Sequence, residues 1–380
     1  SNSKQSSWCI EVSPSVSAKL DLQQTDIGIR YTFGMYYYFD RANTDNDNPI
    51  DYTHQADVWL DHAFDETLKL NVTDSFVVAQ DPALLNGAGA VTRVGGNNLF
   101  NRGKITLTKE WTRQFGTAIH YGNNLIVYSD TTIPNNSQPS LGNNPSQAAI
   151  LNRVEQNAGL DLQWQFEKET MGFIGYNFAW TRYTGSAFIE PSSIVPQYRS
   201  EARDNNVHYV YVGVQHEFSP NLSVDARGGV SYVDSYNDPE GASSSLAPYA
   251  DISATYTFIP GSYLQGGFTQ NINATDVTAL GSDGHLTQYQ ESSVAYLNLT
   301  HKFNSKLTGS LIGQYEYSQY KDGAYDGKAD NYVSAGVSLN YQISSHLSAD
   351  AGYNFDNLSS DVAGREYSRN RVYIGLGANY

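Results

Sequence analysis

Apolar and polar side chains alternate along most of this chain. From Ser292 the run SSVAYLNLTHKF puts Ala295, Leu297, Leu299 and Phe303 on one parity and Tyr296, Asn298, Thr300 and Lys302 on the other. After Asn304-Ser305 the pattern resumes, with Leu307, Leu311, Tyr315 and Tyr317 set against Thr308, Ser310, Gln314 and Glu316. A period of two predicts strands. The runs are about 12–14 residues long, more than twice the common globular strand of about 5–6. The chain starts the same way: Trp8–Leu20 alternates, and Asp26–Asp40 puts Ile27, Ile29, Tyr31, Phe33, Met35, Tyr37 and Phe39 on its oily side.

The connections strictly alternate in length. Short ones fall at Asp21–Thr25, Asp65-Glu66, Arg113-Gln114, Lys168–Thr170, Ser219-Pro220, Ile259–Gly261, Asn304-Ser305 and Ser344-Ser345. Long ones fall near Arg41–Ile50, Asp81–Phe100, Asp130–Arg153, Gly185–Asp204, Ser235–Ser245, Thr275–Gln290, Tyr320–Ala329 and Ser359–Glu366, and are rich in turn-forming Asn, Asp, Gly, Ser and Pro. Long strands with one oily face, joined by alternately short and long links, describe an all-β fold. The expected form is a transmembrane antiparallel β-barrel of about 16–18 strands, with short periplasmic turns and long outer loops in a bacterial outer membrane. No composition shift divides the chain, so residues 1–380 are read as one barrel domain with a polar tail at 1–7. Two places resist the pattern. Met171–Tyr183 is apolar on both parities, and Trp59 shares the polar parity of Asp57 and Asp61. The oily face has no second layer to cover it, which predicts extraction only with detergent and heat-modifiable gel mobility; recovery as a soluble monomer would contradict it.

Counted this way there are about seventeen strands. Both the first and the last then run toward the periplasm, and direct closure would pair them in parallel. Bacterial single-chain barrels use even numbers of antiparallel strands. The expectation is therefore an eighteenth strand, from an N-terminal fragment or donated by a partner. The start SNSKQSSW has no charged and apolar leader, and is read as a mature or trimmed form.

Composition changes the picture little. The mean hydropathy is negative, but a barrel shows lipid only alternate residues, so the average says little. The 29 tyrosines suit interfacial girdles, and the 32 glycines suit turns and crowded positions. A net charge of -16 argues against nucleic acid as a partner. The single Cys9 excludes an internal disulfide, and its parity with Glu11 and Ser13 makes it an inward thiol. The eight histidines form no HExxH or HxH pattern, and there is no phosphate loop, so neither metal nor cofactor nor catalysis is expected. A His301/Ser310 dyad is read as incidental.

The early segments WCIEVSPSVSAKLDLQQTDIGIRYTFGMYYYFD and DYTHQADVWLDHAFDETLKLNVTDSF resemble the second family of putative β-barrel porins. The carriers are Pro14-Ser15-Val16-Ser17, Tyr31 through Tyr38, and His54 through Phe76. Ser219-Pro220-Asn221 matches the family's turn in its Ser-Pro alone, and Asp65-Glu66 and Asn304-Ser305 depart from it. The resemblance implies an outer-membrane barrel, tied in some relatives to export of surface polysaccharide.

Charges on the polar parity are the candidate channel lining: Arg30, Lys69, Lys104, Asp161, Asp225, Arg227, Asp251, Lys302, Glu316, Asp350, Arg369 and Arg371. A Lys or Arg turned to lipid at mid-bilayer would cost roughly 2–4 kcal/mol, which assigns them inward. They fit either a wet pore lined by both signs or an ionic filling that braces a plugged barrel. Tyr209, Tyr211, Tyr249 and Tyr263 share the inward parity, as a path for sugar rings or, more simply, as packing. The expected function is a channel for hydrophilic solutes, with Asp81–Phe100 and Asp130–Arg153 as constricting loops. The alternative is a non-conducting barrel that anchors an envelope or secretion-complex partner. Acidic residues outnumber basic ones in the long loops, which favours cations at the mouth.

Overall fold

The computed structural model describes residues 6–40, 48–79, 98–129, 147–185, 189 and 198–379. They form one eighteen-stranded sheet. The strands are β1 (Cys9–Val12), β2 (Ser15–Leu22), β3 (Thr25–Tyr38), β4 (Ile50–Ala63), β5 (Leu68–Ala79), β6 (Asn98–Glu110), β7 (Phe115–Tyr128), β8 (Arg153–Glu167) and β9 (Thr170–Tyr183). They continue as β10 (Asn205–Ser219), β11 (Leu222–Ser235), β12 (Ser243–Ile259), β13 (Ser262–Ala274), β14 (Tyr289–Lys302), β15 (Leu307–Lys321), β16 (Ala329–Gln342), β17 (Leu347–Ser360) and β18 (Tyr367–Ala378). A short helix, α1 (Gln147–Leu151), precedes β8. From β2 onward consecutive strands are neighbours in the sheet, paired antiparallel as β3 with β4 and β14 with β15.

The first predicted strand appears as two segments. β1 and β2 both pair with β3 in a single continuous register, Val12 opposite Met35 and Ser15 opposite Thr32. Pro14 keeps one bond, accepting from the Phe33 N–H at 3.0 Å, and has no N–H to return. The eighteen segments are thus seventeen staves, one of them broken at Ser13-Pro14.

Four short turns share one construction. The N–H groups of Phe64, Trp111, Phe303 and Ile343 each bond the carbonyl four residues on, at 2.9–3.0 Å. The residue after each is Asp65, Thr112, Asn304 or Ser344, and its side-chain oxygen accepts backbone N–H groups of the turn. These short polar side chains satisfy donors that the ladder no longer reaches. Asp65 is the most engaged. It accepts from the Thr67 N–H and hydroxyl at 2.7 Å and from the Leu68 N–H at 2.8 Å. The Thr67 hydroxyl bond, above all, holds its carboxyl below the ordinary range.

One face of the sheet is apolar and exposed, carrying Ile29, Val58, Ile105, Leu162, Val212, Leu297 and Val337 among others. Histidines mark its margins. Tyr31 bonds His54 Nδ1 at 2.7 Å and Tyr176 bonds His208 Nδ1 at 2.8 Å. Eight residues further, Thr25 meets His62 Nδ1 and Thr170 meets His216 Nδ1, each at 2.8 Å. His62, His216 and His301 each meet the Phe two residues on edge-to-face, at 4.5, 4.3 and 4.6 Å. Eight residues span about 27 Å of strand, or roughly 20 Å of height in a tilted one, close to the ~25 Å apolar band of an outer-membrane barrel. The β3–β4 and β9–β10 hairpins thus carry the same bracket of polar-tipped rings. His301 lies on this face while Ser310, the partner of Thr300, faces the other way.

The chain forms two compact units. One holds the described residues up to Leu160 together with Asn177–Asn206. The other holds Asp161–Tyr176 and the described residues from Val207 onward.

Because the Asp65 carboxylate is favoured in the folded chain, its contribution is present above the unfolded pKa near 4 and is lost as pH falls through the lower folded value. Asp65→Ala should therefore lower the melting temperature in detergent at pH 7 and change it little near pH 2. An equal drop at both would contradict a role for the charge.

Candidate channel lining and outer loops

The polar face of the first unit is a ladder of cross-strand pairs. Arg30 on β3 stands opposite Asp57 on β4, with Nε 3.6 Å from Oδ2. Asp57 also accepts from Ser75 Oγ at 2.7 Å and Gln55 Nε2 at 3.0 Å. Asp61 accepts from Asn71 at 2.6 Å. Lys69 reaches Glu110 at 3.8 Å, and Lys19 reaches Asp26 at 2.8 Å. Lys104 stands opposite Thr73. Trp59 joins this face because its ring lies on Gly28, where a Cβ would leave no room, and its indole N–H donates to Asp26 at 3.3 Å. The neighbour, not the residue's own polarity, explains its parity.

In the second unit a tyrosine wall takes the same face. Tyr211 donates to Asp161 at 2.6 Å, and its ring occupies the space left by Gly175. Tyr249 packs against Tyr209 and Tyr211 at 5.2 and 5.4 Å. Arg227 is stacked 5.1 Å over Phe173, with Nε 3.4 Å from Asp225, and stands opposite Asp251. Gln215 completes the Asp225 shell at 2.5 Å. Tyr209 and Tyr211 are only 6% and 3% exposed, so they pack into the wall. Phe173 accounts for the inward apolar parity of the Met171–Tyr183 run.

The remaining sequence candidates are spread along the sheet. Lys302 donates its backbone N–H to Ser262. Glu316 is 1% exposed and accepts from Ser318 at 2.7 Å, so it packs rather than meeting solvent. Asp350 borders Gly375. Arg369 bonds Asp356 at 3.0 Å, and Arg371 stands opposite Asn354. The structure thus brings Asp161, Asp225, Arg227 and Asp251 together, and keeps Arg30, Lys69 and Lys104 on the other unit's wall. The Cys9 thiol is exposed, and its residue stands opposite Tyr38 on β3.

Sequence reasoning missed the order in the long loops. In the second unit Arg365 donates to Asp276 at 2.9 and 3.0 Å and to buried Asp330 at 3.2 Å. Tyr320 also donates to Asp330, at 2.7 Å. Asp238 receives Gln288 at 2.8 Å and His285 Nδ1 at 3.1 Å. That bond to Asp238 raises the His285 pKa above its ordinary value. Burial raises the Asp322 carboxyl, and Asp322 holds φ 64°, ψ 165°, a conformation that costs a non-glycine residue about 1–3 kcal/mol. In the first unit Arg203 is buried, donating to the Ile150 carbonyl of α1 at 3.1 Å and stacking 4.6 Å over Tyr183. Ser200 donates to the Ala149 carbonyl at 2.6 Å. Of the two constricting loops expected from length, residues 81–97 and 130–146 lie outside the described residues. Among the described residues no group of three or more acidic, His or Cys side chains could hold a metal ion.

A continuous antiparallel sheet with one lipid-suited face and one charged face defines an outer-membrane β-barrel. Within that class, the chain belongs to the family described as "Putative beta-barrel porin 2", whose model matches residues 1–380. No curated protein sequence matches it. Similar solved structures include the ferripyoverdine receptor of the Pseudomonas aeruginosa outer membrane, at 10% identity and TM-score 0.43 over 97% of this chain and 57% of that one. The FrpB iron transporter from Neisseria meningitidis shows 8% identity and TM-score 0.47 over 95% and 62%. The copper transporter OprC shows 11% and 0.48 over 98% and 66%. The chain therefore spans less than two thirds of the length of each of these three. The protein is a bacterial outer-membrane barrel of the porin kind.

Arg365→Ala would take the cation away from two carboxylates, one of them fully buried. Removing one partner of a buried pair typically costs about 3–5 kcal/mol. The expected result is a lower melting temperature and faster proteolysis in the loops holding Asp276 and Arg365; an unchanged loop digest would show that the network is dispensable.

Proposed function

We propose that the polar face lines an aqueous path through which hydrophilic solutes cross the outer membrane, with a mild preference for cations. One observation carries this reading. On the first unit's part of that face charged side chains stay open to solvent even when paired: Lys19 is 50% exposed, Arg30 56% and Lys69 60%. An ionic filling would bury such groups, because charge taken from water must be fully compensated. Here the pairs resemble surface ion pairs, which cost little and hold little. Both signs on a low-dielectric wall focus the field and sort solutes by charge, without a catalytic step. The chain's excess of acidic residues sets the sign of the preference.

An export path for surface polysaccharide would need sugar-stacking rings open to the lumen. Tyr249 and Tyr263 are the candidates, since Tyr209 and Tyr211 are buried. A scaffold that conducts nothing is the alternative.

Planar-bilayer recording separates these readings. Discrete conductance steps are expected, with a reversal potential under a KCl gradient that favours K⁺. Asp57→Asn combined with Asp61→Asn should move that potential toward zero. A folded but silent barrel would establish the scaffold, and a clear anion preference would overturn the proposed selectivity.

A further inference from the structure

A row of polar side chains crosses the apolar face of the first unit. On β5 the outward parity runs Leu70, Val72, Asp74, Phe76, Val78. Its sense is set by neighbours: Ser75, on the opposite parity, bonds Asp57 of the polar face, while Asp74 stands opposite exposed Val58. Val58 is midway between His54 and His62, which mark the two margins of the apolar band. Asp74 is therefore at mid-depth, where lipid offers a carboxylate no hydrogen-bond donor.

The row continues over three more strands. Asn101 on β6 donates to both Asp74 oxygens, at 2.9 and 3.0 Å. Asn123 on β7 stands opposite Gly103, itself opposite Asp74. Gln156 on β8 donates to Asn123 Oδ1 at 3.1 Å and to the Tyr121 hydroxyl at 2.9 Å. Apolar residues flank the row on both sides along the strands: Val72 and Phe76 on β5, Leu99 and Ile105 on β6, and Ile119 and Leu125 on β7. A headgroup margin would be apolar on one side only.

We infer that this face, β5 to β8, is where a second copy of the chain docks. The row is self-complementary. It holds one anionic acceptor, served within its own chain by the single Asn101 amide, together with carboxamides that both donate and accept, so an identical row can add donors to Asp74 that lipid cannot. In an isologous contact each copy supplies donors to the other. The neighbouring Ile105, Ile119 and Phe76 are exposed and would supply the apolar part of the contact. The proposal is independent of whether the barrel conducts.

Native mass spectrometry of detergent-extracted protein, and of protein released from bilayers, tests it. The wild type should appear at a multiple of the single-chain mass. Asp74→Val with Asn123→Val should appear at the single-chain mass while keeping its heat-modifiable mobility, which shows that the barrel still folds. In a Cys9→Ser background, single cysteines placed at Asn101, Asn123 or Gln156 should give disulfide-linked dimers in membranes, and one placed at Val337 should not. A monomeric wild type in both settings would overturn the inference. So would an oligomer unchanged by the double substitution, or cysteines that link only to a different protein.

Discussion

Hydrocarbon offers no hydrogen bonds, so every backbone N–H and C=O that crosses it must find a partner in the chain. The rest of this structure depends on that constraint. It makes the strands long, pairs them in long antiparallel ladders, and gathers the turns and loops at the ends of strands. The short turns show how tightly the accounting runs. Asp65, Thr112, Asn304 and Ser344 each bring a side-chain oxygen to N–H groups left over where the ladder stops. Pro14 splits the first stave in two, while Pro248 is carried inside β12 opposite Val230 without breaking its pairing with β11.

With the backbone committed to the ladder, side chains divide the remaining work by parity. The outward set meets lipid and is bracketed by polar-tipped rings. The opposite set carries the charge, and part of it is exposed. The two units use that face differently. In the first the charges stand open along the wall, as Arg30 and Asp57 do. In the second Tyr209, Tyr211, Tyr249 and Phe173 thicken the wall, and Arg227 and Asp225 are held against it. The loops follow a third rule. Out of the membrane, buried polar groups are tolerable once paired, so Arg365 and Asp238 act as tie points for segments with little apolar surface of their own.

The sequence by itself determined the strands, their short turns and the inward or outward sense of nearly every side chain. All three are local consequences of a two-residue period and of turn chemistry. Ser219-Pro220 and Asn304-Ser305 sit at strand ends as read, and Arg227 falls on the polar face as its parity requires. Register decided the rest, and register is a relation between distant segments that no single stretch encodes. Trp59 reads as misplaced until Gly28 is seen beneath it. Tyr211 reads as an open ring until Asp161 and Gly175 are seen to hold it. Arg365 and Asp276 are far apart in the chain and meet only because their loops pack together. Asp74, Asn101, Asn123 and Gln156 are unremarked polar residues in four separate strands. Pairing at about 4.8 Å per strand is what sets them side by side on the lipid face.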